Sequence, residues 1–498
     1  MASKASIGVL GFAVAVAGRP LRLWIMPNGA DPRSVAEERT RAFTRETGLP
    51  VQVEVLEWDH ARARLDSGLS LRSGGPDVVQ LGTSWVSDYA SRGLLAPLDR
   101  QLPQLRPERF LVTSLATTRI DGSDTLWAVP WFVDVRVLLG NRRILDSLEV
   151  RNVDLADWQK FRATLRRIRT AGLRTADGVP IQPFGFPGAN DWNVPHNFAP
   201  WIWSEGGDFV RKDADGRWES FLLDRTTVRG IRRYMEFVPD SLVDPALLSR
   251  NTAEVARAFC AGTQAFVVST SELVRKIRIQ GDSGGLLESP IGKAGIRAFP
   301  LPIGEAGSVA FVGGSDLCLP ASRKSDPDAL RLLLFLTRAD NMDLYARRIG
   351  FLPADKEVLK DWAKDPTDRV LIQAADRGRA YPTIPRWSAI ESELTGLFRD
   401  IWSRTARSGG CSGDELWTLL VRSDARIDSI LGVEPRPMPL DSFRTMLSEM
   451  DDRPEPDSSS EILWGGWIGG AALGLAGLAW LRFRRRRDPR RPPETQGT

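Results

Sequence analysis

Apolar and polar positions alternate along this chain in two different periods. Leu21 to Met26 is a short apolar run closed by Pro27-Asn28-Gly29, which predicts a strand and then a turn. Ser34 with Glu37 is spaced as a reciprocal helix cap, and Val35, Ala42 and Phe43 give the helix that follows an apolar face. Val51 to Val55 alternates as a strand, Ala61 to Leu71 is helical in period, and Pro76 to Gly82 is again a strand. A helix continues from Trp85 to Arg92. Strand and helix in this alternation predict an α/β fold with a parallel sheet and right-handed crossovers. In such sheets ligands bind beyond the carboxyl ends of the strands. Here those ends carry Asn28, Asp31, Thr83, Ser84 and Trp85.

Farther along, Trp127 to Asp134 runs as a strand into Val135 to Leu139 and Asn141. Helices are expected at 155–171, 225–237, 252–261, 328–349, 356–376, 388–407 and 413–431, with short strands at 181–186, 264–269, 296–301 and 316–319.

The two ends follow other patterns. Residues 1–18 carry Lys4, an apolar run from Ile7 to Ala17 and the small residues Ala15-Val16-Ala17, the form of a signal peptide. No cysteine follows for a lipid anchor. Residues 433–461, with E-P-R-P-M-P and R-P-E-P-D-S-S-S-E, read as a polar stalk. Residues 462–483, interrupted only by Arg482 near the end, are apolar over a helical length of about 33 Å, enough to span a bilayer. Trp464, Trp467 and Trp480 sit near the ends of that stretch, and Gly465, Gly466, Gly469, Gly470 and Gly474, repeating at four-residue spacing, suit a helix-pairing face. The basic tail 484–498 is then expected in the cytoplasm and the large domain outside, a single-pass protein of the cell membrane.

Composition changes little of this. The chain has 498 residues, 42% hydrophobic and 26% charged, a globular balance with room for two or three domains. Its net charge is +4, but from Arg482 onward seven Arg stand against Asp488 and Glu494, a local +5, so the rest carries about −1. The body has no global electrostatic reason to bind nucleic acid. Cys260, Cys318 and Cys411 have no C-x-x-C spacing and the two histidines, His60 and His196, are far apart, so neither a metal site nor a cofactor is expected. One disulfide stays open as an alternative to three free thiols.

The order of motifs resembles the family 1 extracellular solute-binding proteins. The pieces are F-T-R-E-T-G-L-P-V-Q-V-E-V (43–55), G-P-D-V-V-Q-L (75–81), Y-A-S-R-G-L-L-A-P-L-D (89–99), W-A-V-P-W-F-V-D (127–134) and N-R-R-I-L (141–145). W-I-W-S-E-G-G (201–207), A-F-C-A-G-T-Q-A-F (258–266), F-V-G-G-S-D-L-C-L-P (311–320), G-F-L-P-A-D-K-E-V (350–358) and Y-P-T-I-P-R-W-S-A-I (381–390) complete the series. The resemblance implies a two-lobed periplasmic-binding-protein fold of type II with a hinge. The lobes would be 19–132 with 296–339, and 133–295 with 340–432. It also implies a polar solute, most naturally a carbohydrate, held between lobes that close on it, with an ABC permease as partner.

Sugar binding asks for aromatic faces against C–H surfaces and for planar polar groups to satisfy hydroxyls. The resemblance assigns Asp134 as an inter-lobe carboxylate, Ser84 and Trp85 to the loop after the third strand, and Arg386 and Trp387 to a turn facing the cleft. Trp192 and His196 lie in a polar aromatic loop, and Gly314 and Ser315 follow a strand where backbone can approach ligand. Glu272 and Glu391 stand where many sugar binders carry a stacking tryptophan, which opens the site to a smaller or more polar ligand. Two other functions fit parts of the chain. A sensing receptor signalling through a membrane partner would use the C-terminal span. A glycosidase would pair Asp134 with Glu205 or Asp208, but no G-x-S-x-G, H-E-x-x-H or phosphate loop is present, and no catalytic residue is expected.

Overall fold

The computed structural model describes residues 19–451, except 30, 72–73 and 282–284. The expected signal peptide (1–18), membrane span (462–483), basic tail (484–498) and the last part of the stalk lie outside the described residues. Among the described residues no helix is long and apolar enough to cross a membrane.

The described residues hold twelve strands in chain order: β1 (Leu21–Ile25), β2 (Val51–Val55), β3 (Val78–Gly82), β4 (Val129–Val135), β5 (Val137–Asn141), β6 (Gln182–Gly185), β7 (Val210–Lys212), β8 (Trp218–Ser220), β9 (Gln264–Ser269), β10 (Ile296–Phe299), β11 (Val312–Cys318) and β12 (Leu352–Pro353). They form a six-stranded sheet in the order β12-β4-β11-β3-β1-β2, a four-stranded sheet β10-β5-β9-β6, and the hairpin β7-β8. β1 pairs in parallel with β2 and β3, Leu23 facing both Val53 and Val78. Leu23, Trp24 and Ile25 are fully buried, because helices cover both faces of a parallel sheet.

The first three strands are parallel as expected, and later strands make the sheet mixed. β11 inserts antiparallel between β3 and β4, and β12 adds antiparallel to β4. β4 and β5 are separated by Arg136 alone, so one nearly continuous strand passes from the first sheet to the second. Two expected lobe boundaries move. Residues 296–299, assigned to the first lobe, form β10 and pair with β5 in the second sheet, so the chain returns to the first sheet between Phe299 and Val312. The exit placed at 339 falls later, since the helix Ala339–Ile349 packs on the helix Pro32–Thr47 and β12 still pairs with β4.

Two helices expected as single rods are each broken. At Asp365-Pro366 proline begins a new helix and the Asp365 carboxylate accepts from the N–H groups of Thr367 (2.8 Å) and Asp368 (3.0 Å). At Thr337-Arg338 the released carbonyls find side-chain donors: Asn341 Nδ2 donates to Phe335 O at 2.8 Å and Arg109 to Thr337 O. The first helix is capped by Asp31 rather than Ser34, whose N–H donates to the Asp31 carboxylate at 3.2 Å. The stalk also departs from expectation. A helix, Leu440–Asp451, lies in it, with Phe443 fully buried and Arg444 paired to Asp414 at 2.6 Å. The compact unit that holds both sheets extends to Leu447, and of the remainder only the last turn of this helix is described. Cys260, Cys318 and Cys411 are all free, which closes the disulfide alternative.

Candidate ligand cleft

The wall from the first sheet starts where β3 ends. The chain turns at Gly82 and presents Ser84 and Trp85 before the helix Val86–Ser91. Trp58 opens the helix after β2, and its indole N–H donates to Pro27 O at 3.1 Å, tying it to the turn after β1. The Trp58 and Trp85 rings meet edge to face at 5.5 Å and 72°. Arg62, one turn along the same helix, lies over the Trp85 ring at 5.3 Å and is held by Asp88 at 2.9 Å.

The opposite wall is the loop before the helix Val194–Ser204, together with the helix Trp387–Ser408. Trp192 is 55% exposed and stacks on Trp58 at 5.9 Å and 22°, ring against ring across the two walls. His196 is buried, stacked on Phe311 at 4.3 Å and 11°, with Nδ1 2.7 Å from the Tyr381 hydroxyl. Burial, reinforced by Arg136, pushes the His196 imidazole well below its ordinary pKa, so the ring is neutral. Its other ring nitrogen, Nε2, lies 3.8 Å from Glu391 Oε1. Ser84 Oγ donates to Glu391 Oε2 at 3.0 Å, a second bridge between the walls. Burial lifts the Glu391 carboxyl to about 7, against the Ser84 hydrogen bond and the nearby Arg62.

The floor is the crossing strand. Asp134 pairs with Arg136 at 3.2 Å, and Arg136 lies 5.3 Å over Phe311. Burial raises the Asp134 pKa, Arg136 opposes the shift and Glu272 adds to it. Asp134 Oδ1 is buried and accepts no hydrogen bond. Glu272 is paired with Lys276 at 2.6 Å.

Of the residues named from sequence, Ser84, Trp85, Trp192 and His196 come together here, with Asp134 beneath them. The others sit elsewhere. Asn28 is buried and donates to Met26 O (2.9 Å) and Gln80 Oε1 (3.2 Å), while Gln80 Nε2 donates to Ser315 Oγ at 2.8 Å. Asn28 and Ser315 therefore belong to a buried network that ties the turn after β1 to the middles of β3 and β11. Asp31 is a helix cap. Gly314 has φ +128°, and a Cβ there would lie 2.2 Å from Phe132 O, so its glycine serves strand packing. Arg386 is exposed, in the left-handed region at φ +66°, and donates to Ile430 O at 3.1 Å. Trp387 is fully buried against Tyr381, 4.8 Å between rings. Trp58, Arg62, Phe311 and Tyr381 were not foreseen as site residues. Only the W-x-x-x-R spacing of Trp58 and Arg62 on one helix face signalled anything, and their partners are far away in sequence. Glu391 was noted only as a missing aromatic, yet it meets both walls.

The carboxylates of the glycosidase reading are already engaged. Glu205 is paired with Arg229 at 2.6 Å, and Asp208 with Arg379.

The model of the family described as bacterial extracellular solute-binding protein matches residues 38–369. The chain belongs to this family. It is a binding protein and not an enzyme. The diacetylchitobiose binding protein DasA of Streptomyces coelicolor is 26% identical over 380 residues, 76% of this chain and 83% of that one. Among solved structures, the GacH receptor of Streptomyces glaucescens, studied unliganded and with acarbose, superposes with a TM-score of 0.64 at 21% identity, covering 83% of this chain and 99% of that one. An ABC transporter solute binding protein from Thermotoga lettingae, bound with α-D-tagatose, gives 0.66 at 16% identity, with coverages of 83% and 100%. These likenesses show the two-lobed fold of type II.

The membrane-tethered part of the expectation is corrected by the same findings. What matches is the two-lobed body, and no described helix is long and apolar enough to cross a membrane. Residues 462–498, on which the single-pass anchor, the cytoplasmic tail and the membrane contact rest, lie outside the described residues, and the comparisons support the two-lobed binding protein without them. The sensing reading drew its support from that anchor and is not proposed.

Proposed function

We propose that this chain is an extracytoplasmic carbohydrate-binding protein that hands its ligand to an ABC importer. The observation that carries the reading is the meeting of three indoles, Trp58, Trp85 and Trp192, with Ser84, His196 and Glu391 from both walls of one cleft. Indole faces cover the apolar faces of a sugar ring, and the short polar groups around them pair with its hydroxyls. The names of the relatives, a diacetylchitobiose binder and an ABC transporter protein holding tagatose, agree with this.

Under this reading Ser84, Trp85, Asp134, Trp192 and His196 contact ligand, joined by Trp58 and Glu391. Asn28, Asp31, Gly314, Ser315, Arg386 and Trp387 support the framework. The test is a thermal-shift screen of the protein against mono- and oligosaccharides, followed by calorimetry on each hit. A saccharide should raise the melting temperature by mass action. Trp192→Ala should weaken that saccharide's binding about tenfold or more while leaving the ligand-free melting temperature in place, since Trp192 is 55% exposed. A true ligand that is not a saccharide, or one indifferent to Trp192→Ala, would refute the assignment.

A further inference from the structure

We propose that the cleft selects a saccharide carrying a free, positively charged amine, with Glu391 as the anionic anchor. The proposal rests on the carbohydrate reading above and narrows it to a ligand class.

Glu391 is largely buried, its side chain 16% exposed, and its polar partners are the Ser84 hydroxyl and the neutral His196 ring. Among the described residues no Lys or Arg lies within ion-pair distance of it. Among the described residues the cation that bears on its charge is Arg62, and Arg62 is itself paired with Asp88 at 2.9 Å. The floor adds a second acceptor, the buried Asp134 Oδ1, which accepts no hydrogen bond. The walls supply indole faces, which attract cations as well as C–H surfaces.

A sugar hydroxyl is neutral and does nothing to hold the Glu391 carboxyl in its ionised form, whose burial is costly. An ammonium group brings three donors and the opposite charge to the same place. Burial pushes the carboxyl upward, and a cation bound beside it would oppose that shift.

The experiment is calorimetric titration of the full-length protein at neutral pH with glucosamine, galactosamine and the β-1,4-linked glucosamine disaccharide. Each is compared with its N-acetylated and its hydroxyl counterpart. The expected result is an amine preferred about tenfold or more over both counterparts, the scale of a hydrogen bond to a charged group. In Glu391→Gln that ratio should collapse toward one. Arg62→Gln, which removes the cation nearest to Glu391, should widen it, and this second variant serves if the first does not fold. Counterparts that bind as tightly as the amines would overturn the cationic class while leaving the saccharide reading in place. A preference that survives unchanged in Glu391→Gln and Arg62→Gln would overturn Glu391 as the anchor. Failure of every saccharide in the wider screen would overturn the carbohydrate reading, and this one with it.

Discussion

Replacing Glu391 by Gln keeps the length of the side chain and an acceptor for Ser84 but removes the charge. Burial lifts the wild-type carboxyl from its ordinary 4.5 to about 7, so the folded protein holds this proton more tightly than the unfolded chain does. Between those two values the native state binds more protons at this site, and stability therefore falls as pH rises. The contribution is fully present below 4.5 and is lost once the carboxyl ionises above about 7. At roughly 1.4 kcal/mol per tenfold change in proton affinity, the interval amounts to about 3 kcal/mol. Glutamine has no such proton. The variant should therefore gain on the wild type by about 3 kcal/mol between acid and mildly alkaline solution. His196 runs the other way: its lowered pKa costs stability as pH falls below about 6.5. It is present in both proteins and cancels in the difference. The assay is urea unfolding of both proteins at about pH 4.5 and about pH 8, reading the change in the stability difference. A difference that is the same at both pH values would refute the argument, because it would mean that the Glu391 charge is already compensated in the fold.

Two further outcomes test the framework. Gly314→Ala places a Cβ 2.2 Å from Phe132 O at φ +128°, so it should cost about 3 kcal/mol or more in urea unfolding; a loss under about 1 kcal/mol would show that β4 and β11 can separate freely. Asp121, in the turn before β4, accepts from Lys212 at 2.7 Å and from Trp218 Nε1 at 3.0 Å on the β7-β8 hairpin, and these bonds hold its pKa below the usual carboxylate range despite burial. Asp121→Ala should therefore favour a more open protein, with a larger radius of gyration in small-angle scattering and saccharide affinity reduced several-fold, the scale of a partly exposed ion pair. Unchanged scattering and affinity would remove this clasp from the closing motion.

Local pattern carried the secondary structure a long way. The strand at 264–269 and the helix at 413–431 have the bounds read from periodicity and caps, because Gly262 and Gly432 stop neighbouring helices in the left-handed region and Ser412 with Glu415 forms a capping box. The family order of motifs likewise placed the chain in a two-lobed fold. The breaks in the two long helices were half legible: Asp365-Pro366 was a visible stop, whereas the break at Thr337 depends on Arg109, more than two hundred residues upstream.

What tertiary structure decided is which distant segments meet. β11 joins the first sheet by pairing with β3 and β4, strands that precede it by well over one hundred residues, and nothing in its own alternation distinguishes parallel from antiparallel neighbours. The cleft follows the same rule. Ser84 and Glu391, Trp58 and Trp192, and His196 and Tyr381 are each brought together by the closure of long loops, and the burial that shifts Glu391 comes from both walls at once. A residue's own type and its near neighbours set backbone preference through sterics and local hydrogen bonds. Charge compensation, stacking and desolvation are set by what lies within a few ångströms in space, and so Glu391 could be read from the sequence only as a missing tryptophan.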